Sequence, residues 1–192
     1  MPNTEIRFAG FGGQGIILMG IAVARAASIY DKKSSSATQA LHRYAVQTQS
    51  YGPSARGGHS RCDVKISEAE MYYPFVDLPD ILVIMSEQAY RKYSQDINEG
   101  GLLILEDDLV KENPQGNVIR IQATRAAEEL GTRIVANVVM LGAFQVLTKV
   151  ISWDALVNAV MDLVPEITHE LNMKALERGR DLGIEAVKGA EI

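Results

Sequence analysis

Five residues near the amino terminus have the types and spacing of an anion-binding turn: Gly10, Gly12, Gly13, Gln14 and Gly15. Glycines at 10, 12 and 15 match the pattern G-x-G-x-x-G, between a predicted strand at 5–9 and a predicted helix at 16–28. Glycine lets a backbone turn tightly and approach a ligand, and the free N–H groups at a helix start attract negative charge. This turn is therefore a candidate site for a phosphate or nucleotide group.

Two other interpretations of the same turn stay open. A nicotinamide-binding domain needs an acidic residue about 20 positions on, at the end of the second strand, to hold the ribose hydroxyls. Asp31 is near that distance, but it lies in a polar connection, and the second predicted strand ends in Gln47, Gln49 and Ser50 without a carboxylate. A nicotinamide cofactor is therefore disfavoured, whereas glycines that only pack a helix against a strand remain the main alternative to an anion site.

A second unusual turn runs from Tyr51 to Gly58, where Gly57 and Gly58 allow backbone conformations with positive φ. Basic residues cluster within and just after this turn: Arg56, His59 and Arg61. Loops at the carboxyl ends of strands converge in an open α/β sheet, so we expect both turns to face one cleft. There Arg56 would bind phosphate or carboxylate, unless it pairs with an acidic residue of this chain or of a partner.

Strands and helices must position these turns. The sequence predicts one strand, one helix and then further strands, after which strands and helices alternate. Period-two alternation predicts a strand through Cys62, Val64 and Ile66, with residues 71–73 pairing against it as a hairpin. Apolar runs at 81–85 and 102–105 predict buried strands, and 118–121 a strand nearer an edge. Ser86 and Ser152 are expected helix N-caps. Further helices are predicted at 124–130, 134–150 and 168–182, the last closed by Gly183.

This order predicts one α/β domain over residues 1–192. We expect a Rossmann-like open sheet, mostly parallel with an antiparallel hairpin, helices on both faces and a helical C-terminal third.

Two surfaces are candidates for contacts with other chains. The predicted helix at 134–150 is apolar on nearly every side, so it must be covered all round, either by other elements of this domain or by a partner. Asn137 within it needs a hydrogen-bond partner if buried, and a loop backbone would suit. Tyr72, Tyr73 and Phe75 form a second possible contact patch, because aromatic residues are enriched in interfaces.

Composition excludes several classes of function. A net charge of −5 argues against a nucleic-acid binder, because phosphate-backbone binding rests on a basic surface. The single cysteine, Cys62, excludes an intramolecular disulfide and an iron–sulfur cluster held by several thiolates of this chain. We expect Cys62 to be a packed residue and a zinc site to be absent. No run approaches the length of a membrane span and no signal peptide is evident, so we expect a cytoplasmic protein without membrane contact.

Together, the two turns carry a resemblance to a known family. Residues 10–16 (GFGGQGI), residues 47–58 (QTQSYGPSARGG) and the following Ser60-Arg61-x-Asp63-Val64 closely resemble the gamma subunit of 2-oxoacid:ferredoxin oxidoreductases. Asn137 with residues 141–143 (LGA), and Asn172 with Ala175 and Gly179, are also similar to that family. The resemblance spans nearly the whole chain.

The resemblance implies a multi-subunit enzyme that oxidatively decarboxylates a 2-oxoacid with coenzyme A, giving an acyl-CoA, carbon dioxide and reduced ferredoxin. It implies alpha and beta subunits that hold thiamine diphosphate with magnesium, [4Fe-4S] clusters, and a ferredoxin-like delta subunit or an external ferredoxin. This chain alone would bind none of these cofactors and would supply no catalytic residue. It would complete the assembly and help to form the coenzyme A cleft.

The residues that the resemblance assigns to that cleft are those of the two turns, with Gly12, Gln14, Arg56 and Gly57 as the first candidates. The remaining ones are Gly10, Gly13, Gly15, Tyr51 and Gly58. The sequence at 49–53 (QSYGP) is more similar to 2-oxoglutarate enzymes than to pyruvate ones. The alternatives are a stand-alone NAD(P)-dependent dehydrogenase and an interaction scaffold whose glycine turns bind nothing.

Overall fold

A computed structural model describes residues 3–31, 43–51 and 58–190 of the chain. Six strands make up the sheet: β1 (Thr4–Phe11), β2 (Tyr44–Tyr51), β3 (His59–Ser67), β4 (Ile81–Ile84), β5 (Leu102–Glu106) and β6 (Val118–Ile121). Six α-helices surround it: α1 (Ile16–Arg25), α2 (Glu87–Tyr93), α3 (Ala123–Glu129), α4 (Ala136–Thr148), α5 (Trp153–Met161) and α6 (His169–Ala190). A π-helical turn, Ala26–Tyr30, continues α1, and short 3-10 turns, Arg133–Val135 and Glu166–Thr168, lead into α4 and α6.

The strands are ordered β2-β3-β1-β4-β5-β6 across one sheet. β1, β4, β5 and β6 are parallel to one another, whereas β3 runs antiparallel to both β1 and β2. The predicted mostly parallel α/β sheet with an antiparallel hairpin is therefore confirmed. The hairpin partner was predicted wrongly, because β3 pairs with β2 and residues 71–73 form no strand. Residues 68–80 instead cross the sheet face, where the Val76 carbonyl accepts a hydrogen bond from buried Arg7 at 2.7 Å.

The larger core lies between one sheet face and helices α1, α4, α5 and α6. Alternation along β1 sends Ile6 and Phe8 into this core, and the Phe8 ring packs against that of Phe144 in α4 at 5.4 Å between centroids. The opposite face is covered mainly by α2, which lies against β1, β3 and β4 and whose Ala89 and Tyr93 belong to a second buried cluster. Helices thus lie on both faces, as predicted, but most of the helical mass lies on one.

Helix α4 is buried between the sheet and α6, so the all-round apolar helix is covered from within this chain. The two helices cross so closely that a Cβ added at Gly142 would lie 2.2 Å from the Leu176 carbonyl oxygen of α6. A Cβ at Gly183 would meet the Val146 side chain at 3.0 Å and the Ala143 backbone at 3.1 Å. The prediction that Gly183 ends the last helix is therefore wrong. Gly183 serves close packing, and α6 continues to Ala190.

The two predicted helix N-caps are confirmed. Ser86 accepts a hydrogen bond from the Ala89 N–H at the start of α2, and Ser152 accepts one from the Ala155 N–H at the start of α5. Gly131, at φ 97°, follows α3 as a left-handed terminator. None of the helices in the described part of the chain has the length and apolar character that crossing a lipid bilayer requires.

Candidate functional site

A cleft of about 270 Å³ opens at the carboxyl edge of the parallel strands. Its walls come from the turn after β1, the residues that follow β4, β5 and β6, and the start of α4. The residues that line it are Phe11, Gly13, Gln14, Met85, Leu109, Thr124, Arg133, Ile134 and Ala136. This is the edge at which open α/β sheets bind ligands, because the connections after parallel strands converge there.

Gln14 holds the glycine turn in place through both ends of its carboxamide. The Oε1 atom accepts a hydrogen bond from the Phe11 N–H at 2.9 Å, and the Nε2 atom donates to the Met85 carbonyl at 2.7 Å. Gln14 therefore ties the turn after β1 to the end of β4, and so fixes one corner of the cleft. Gln14 also lines the cleft, and its predicted contact with a ligand stays a prediction.

The glycines of the turn differ in what a side chain at each would meet. A Cβ at Gly10 would lie 2.5 Å from Gln14 Oε1 and 2.6 Å from Ile16 Cδ1, so a larger residue there would displace these two side chains. Gly15 has φ 71°, and its Cβ would lie 2.2 Å from Asn137 Nδ2. Gly13 has φ 102°, and no atom of the described residues lies within 4 Å of its added Cβ.

The packing interpretation therefore applies to part of this turn, and an anion site at the turn stays a prediction. Gly10 and Gly15 pack against the chain itself, whereas Gly13 keeps its backbone open toward the cleft. Gly12 is intermediate, because its added Cβ would make an ordinary 3.7 Å contact with the Gly58 carbonyl.

The start of α1 has no side-chain cap. Gly15 occupies the N-cap position of this ten-residue helix. The Gly15 carbonyl accepts from the Met19 N–H at 3.1 Å and from Asn137 Nδ2 at 3.4 Å, which confirms the predicted bond from a buried Asn137 to a loop backbone. The N–H groups of the first turn thus lie beside the open backbone of Gly13, in the arrangement that attracts anions.

The second turn reaches the first through Gly58. The Gly12 N–H donates to the Gly58 carbonyl at 2.9 Å, and Phe11 lies opposite His59 in the β1–β3 register. Arg56 and Gly57 lie outside the described residues, as does the side chain of Tyr51, so their predicted roles stay predictions. Arg61 lies 3.4 Å from Asp63, the buried carboxylate that also binds Arg7.

The acidic residue that a nicotinamide site needs is not at the turn. Asp31 forms an ion pair with Arg43 at 3.0 Å, beyond the far end of α1. On one side of β1 lies the antiparallel β3, which places the start of a strand, at Gly58 and His59, next to the carboxyl end of β1. On the other side lies the parallel β4, which is followed by Met85 and Ser86, so in the described residues neither neighbouring strand presents a carboxylate to a ribose there.

Glu106 is a functional candidate that the sequence analysis missed. It ends β5 and is fully buried, and its carboxylate accepts from the Thr124 N–H at 2.9 Å and from the Leu109 N–H at 2.7 Å. Burial raises the pKa of the Glu106 carboxyl, while hydrogen bonds from Thr124 and Leu109 oppose that rise. A glutamate that closes an otherwise apolar strand run (LLILE) was the available signal.

Cys62 is buried against α1, and a Cβ at Gly20 would lie 2.1 Å from its Sγ atom. Burial, reinforced by the nearby Asp63 carboxylate, raises the pKa of the thiol to about 12. The prediction that Cys62 is a packed residue is confirmed. Within residues 3–31, 43–51 and 58–190, no three His, Cys, Asp or Glu side chains are grouped to hold a metal ion.

Comparison with known proteins places this fold and turn in one family. Residues 5–182 match the family model for pyruvate ferredoxin/flavodoxin oxidoreductase. The chain is 46% identical over 188 residues to the 2-oxoglutarate synthase subunit KorC of Methanocaldococcus jannaschii, covering 95% of each chain.

Two solved structures resemble the chain over nearly its full length. The gamma subunit of a keto/oxoacid ferredoxin oxidoreductase from Geobacter sulfurreducens superposes with a TM-score of 0.83 at 41% identity, covering 97% of this chain and 99% of that one. The 2-oxoglutarate:ferredoxin oxidoreductase of Magnetococcus marinus superposes with a TM-score of 0.77 at 22% identity, covering 96% of this chain and 32% of that longer one. The latter likeness shows the fold alone. The chain therefore belongs to the pyruvate ferredoxin/flavodoxin oxidoreductase family, as a subunit of a 2-oxoacid:ferredoxin oxidoreductase that cannot carry out the reaction by itself.

Proposed function

We propose that this chain is the gamma subunit of a cytoplasmic 2-oxoglutarate:ferredoxin oxidoreductase, and that its carboxyl-edge cleft binds part of coenzyme A. The complex would convert 2-oxoglutarate and coenzyme A to succinyl-CoA and carbon dioxide, and pass two electrons to ferredoxin. Partner alpha and beta subunits would hold the thiamine diphosphate with its magnesium. A ferredoxin-like delta subunit or an external ferredoxin would accept the electrons.

The observation that carries the coenzyme A assignment is the open backbone at Gly13 beside the uncapped start of α1. Such N–H groups suit a phosphate, and coenzyme A carries several. The relative from M. jannaschii is named a 2-oxoglutarate synthase subunit, and the M. marinus enzyme was solved with coenzyme A and succinyl-CoA bound. Both names support the proposed substrates.

The size of the cleft limits what this chain can hold. About 270 Å³ is below the range of roughly 300–1,000 Å³ in which pockets enclose a whole ligand. The rim includes Ile134, whose side chain is 84% exposed, next to Phe11 and Leu109. We therefore propose that an alpha or beta subunit covers this apolar rim and completes the coenzyme A site.

The residues of this chain do not fit the other cofactors of the complex. A [4Fe-4S] cluster needs four thiolates, and the sequence has one cysteine, which is buried. The described residues also offer no carboxylate group suited to the magnesium of thiamine diphosphate. We assign those cofactors to the partner subunits.

The test is the Gly13→Ala variant in the complex assembled with its alpha and beta subunits. The methyl group would enter the cleft and strain a backbone at φ 102°. We expect the KM for coenzyme A to rise about tenfold, the equivalent of about 1.4 kcal/mol, with little change in kcat for 2-oxoglutarate-dependent ferredoxin reduction.

Gly116→Ala is the matched control, because Gly116 has φ 110° and also has no atom within 4 Å of an added Cβ. It lies between β5 and β6, at the opposite edge of the sheet. The two variants should lose similar stability, but Gly116→Ala should leave the KM for coenzyme A within twofold. An unchanged KM in assembled Gly13→Ala enzyme would contradict the proposed site.

The choice of 2-oxoacid is tested separately with the unmodified complex. We expect kcat/KM for 2-oxoglutarate to exceed that for pyruvate, branched-chain 2-oxoacids and indolepyruvate by at least tenfold. A preference for any of the other three would contradict the proposed substrate while leaving the coenzyme A site open to its own test.

A further inference from the structure

The buried carboxylate of Glu106 connects the two segments that form the far wall of the cleft. Glu106 is the last residue of β5, and its two oxygens accept from backbone N–H groups on two different segments. Oε2 binds the Leu109 N–H in the connection that follows β5, and Oε1 binds the Thr124 N–H in the first turn of α3, after β6. Leu109 and Thr124 both line the cleft, whereas Glu106 itself does not.

Joining two segments through a buried carboxylate costs free energy, because the charged group is removed from water. Burial raises the pKa of Glu106, and the nearby Asp108 charge raises it further. A purely structural connection could be made by neutral groups, which avoid the cost of removing a charge from water. The charge is explained by the geometry, because a carboxylate presents acceptors on both oxygens and faces two N–H donors at once.

We propose that Glu106 is a positioning residue for coenzyme A, which sets the cleft width by holding Leu109 and Thr124 at fixed distances. This inference rests on the proposed function of the cleft. Glu106 touches no ligand and acts through the two wall residues.

The test is Glu106→Gln in the assembled complex. Glutamine is nearly isosteric, but its NH2 group would face one of the two N–H donors and break that side of the connection. We expect the KM for coenzyme A to rise five- to tenfold, with kcat at saturating coenzyme A and the KM for 2-oxoglutarate both within twofold of the unmodified enzyme. A general structural defect would instead lower kcat and assembly together.

Asp107→Asn is the matched control. Asp107 is the next residue, and its carboxylate binds the side chains of Arg120 at 2.9 Å and Gln122 at 3.3 Å, neither of which lines the cleft. We expect it to leave the KM for coenzyme A within twofold. A rise equal to that of Glu106→Gln would overturn the proposal, because it would show that any lost carboxylate here has the same effect.

Leu109→Ala keeps the proposal testable even if Glu106→Gln fails to assemble. Leu109 is 36% exposed, so its truncation should be tolerated while removing the apolar part of the wall. The same selective rise in the KM for coenzyme A is expected, and an unchanged KM would overturn the proposal. If Gly13→Ala raises that KM but Glu106→Gln and Leu109→Ala do not, only this inference fails. If none of the three raises it, the proposed coenzyme A cleft fails as well.

Discussion

Two regions of this chain depend on glycines and differ in what surrounds those glycines. At the α4–α6 crossing, Gly142, Gly179 and Gly183 each have backbone atoms of the opposite helix within about 3 Å of an added Cβ. At the turn after β1, Gly10 and Gly15 are packed against side chains, but no atom of the described residues lies near the added Cβ of Gly13. At the α4–α6 crossing all three glycines allow close packing of the helices, whereas the turn combines packed glycines with an open backbone at Gly13.

The difference explains why a glycine pattern alone is weak support for a ligand. Two of the three pattern glycines, Gly10 and Gly15, pack against the side chains of Gln14 and Asn137 of this chain. The residue that keeps the cleft open, Gly13, lies between the pattern positions. A glycine indicates a ligand site only where no atom of the protein itself occupies the space of its missing side chain.

The largest effect is expected for Gly179→Ala at the crossing. The added Cβ would lie 1.9 Å from the Val139 carbonyl oxygen, so the helices must separate. We expect a loss of about 3 kcal/mol or more in the free energy of unfolding, measured by urea denaturation. Gly189→Ala is the control in the same helix, because no atom lies within 4 Å of its added Cβ, and it should be neutral or stabilising by up to about 1 kcal/mol. Equal losses in the two variants would contradict the packing role of Gly179.

A smaller loss, about 2 kcal/mol, is expected for Gly15→Ala in the turn. The variant strains a backbone at φ 71° and pushes against Asn137, so it tests whether this part of the turn behaves like the crossing. The double variant Gly15→Ala with Asn137→Ala removes the collision but keeps the strain. It should therefore lose less stability than the two single effects added together. Strict additivity would show that the contact does not matter.

The smallest effect is expected from the carboxyl group of Glu106, because burying its charge beside the cleft costs free energy of folding. Its pKa is raised in the folded protein, so between the ordinary glutamate pKa and the raised one the folded state binds more protons than the unfolded state. Stability therefore falls as pH rises through that window. The unfolding free energy of the unmodified chain, relative to Glu106→Gln, should decrease as the pH rises above the ordinary glutamate pKa, measured by denaturant titration. A flat or rising difference would contradict the raised pKa.

Much of the fold followed from local patterns. Alternation located β3, apolar runs located β4 and β5, and Ser86 and Ser152 marked two helix starts. Strand partners were harder, because pairing depends on contacts distant in sequence. Residues 71–73 were placed beside β3, where β2 pairs instead. Gly183 was taken as a helix end because a terminating glycine and a packing glycine look alike until the opposite helix is placed.

Some features of the candidate site could likewise be predicted from the sequence, and others could not. The glycine turn and the need for a partner to Asn137 were evident from residue types and spacing, and residues 10–16 and 47–58 already resembled the family. Glu106 was not evident, because one acidic residue after an apolar run does not reveal that two later segments will fold onto it.

The sequence by itself determined the α/β class, the family and the position of the glycine turn, since these depend on periodicity and on short motifs. Only the tertiary structure decided which glycines are open, how β3 replaces a parallel neighbour of β1, and that Leu109 and Thr124 meet across one carboxylate. Those features depend on distances between residues far apart in the chain, and such distances are set by packing of the whole core.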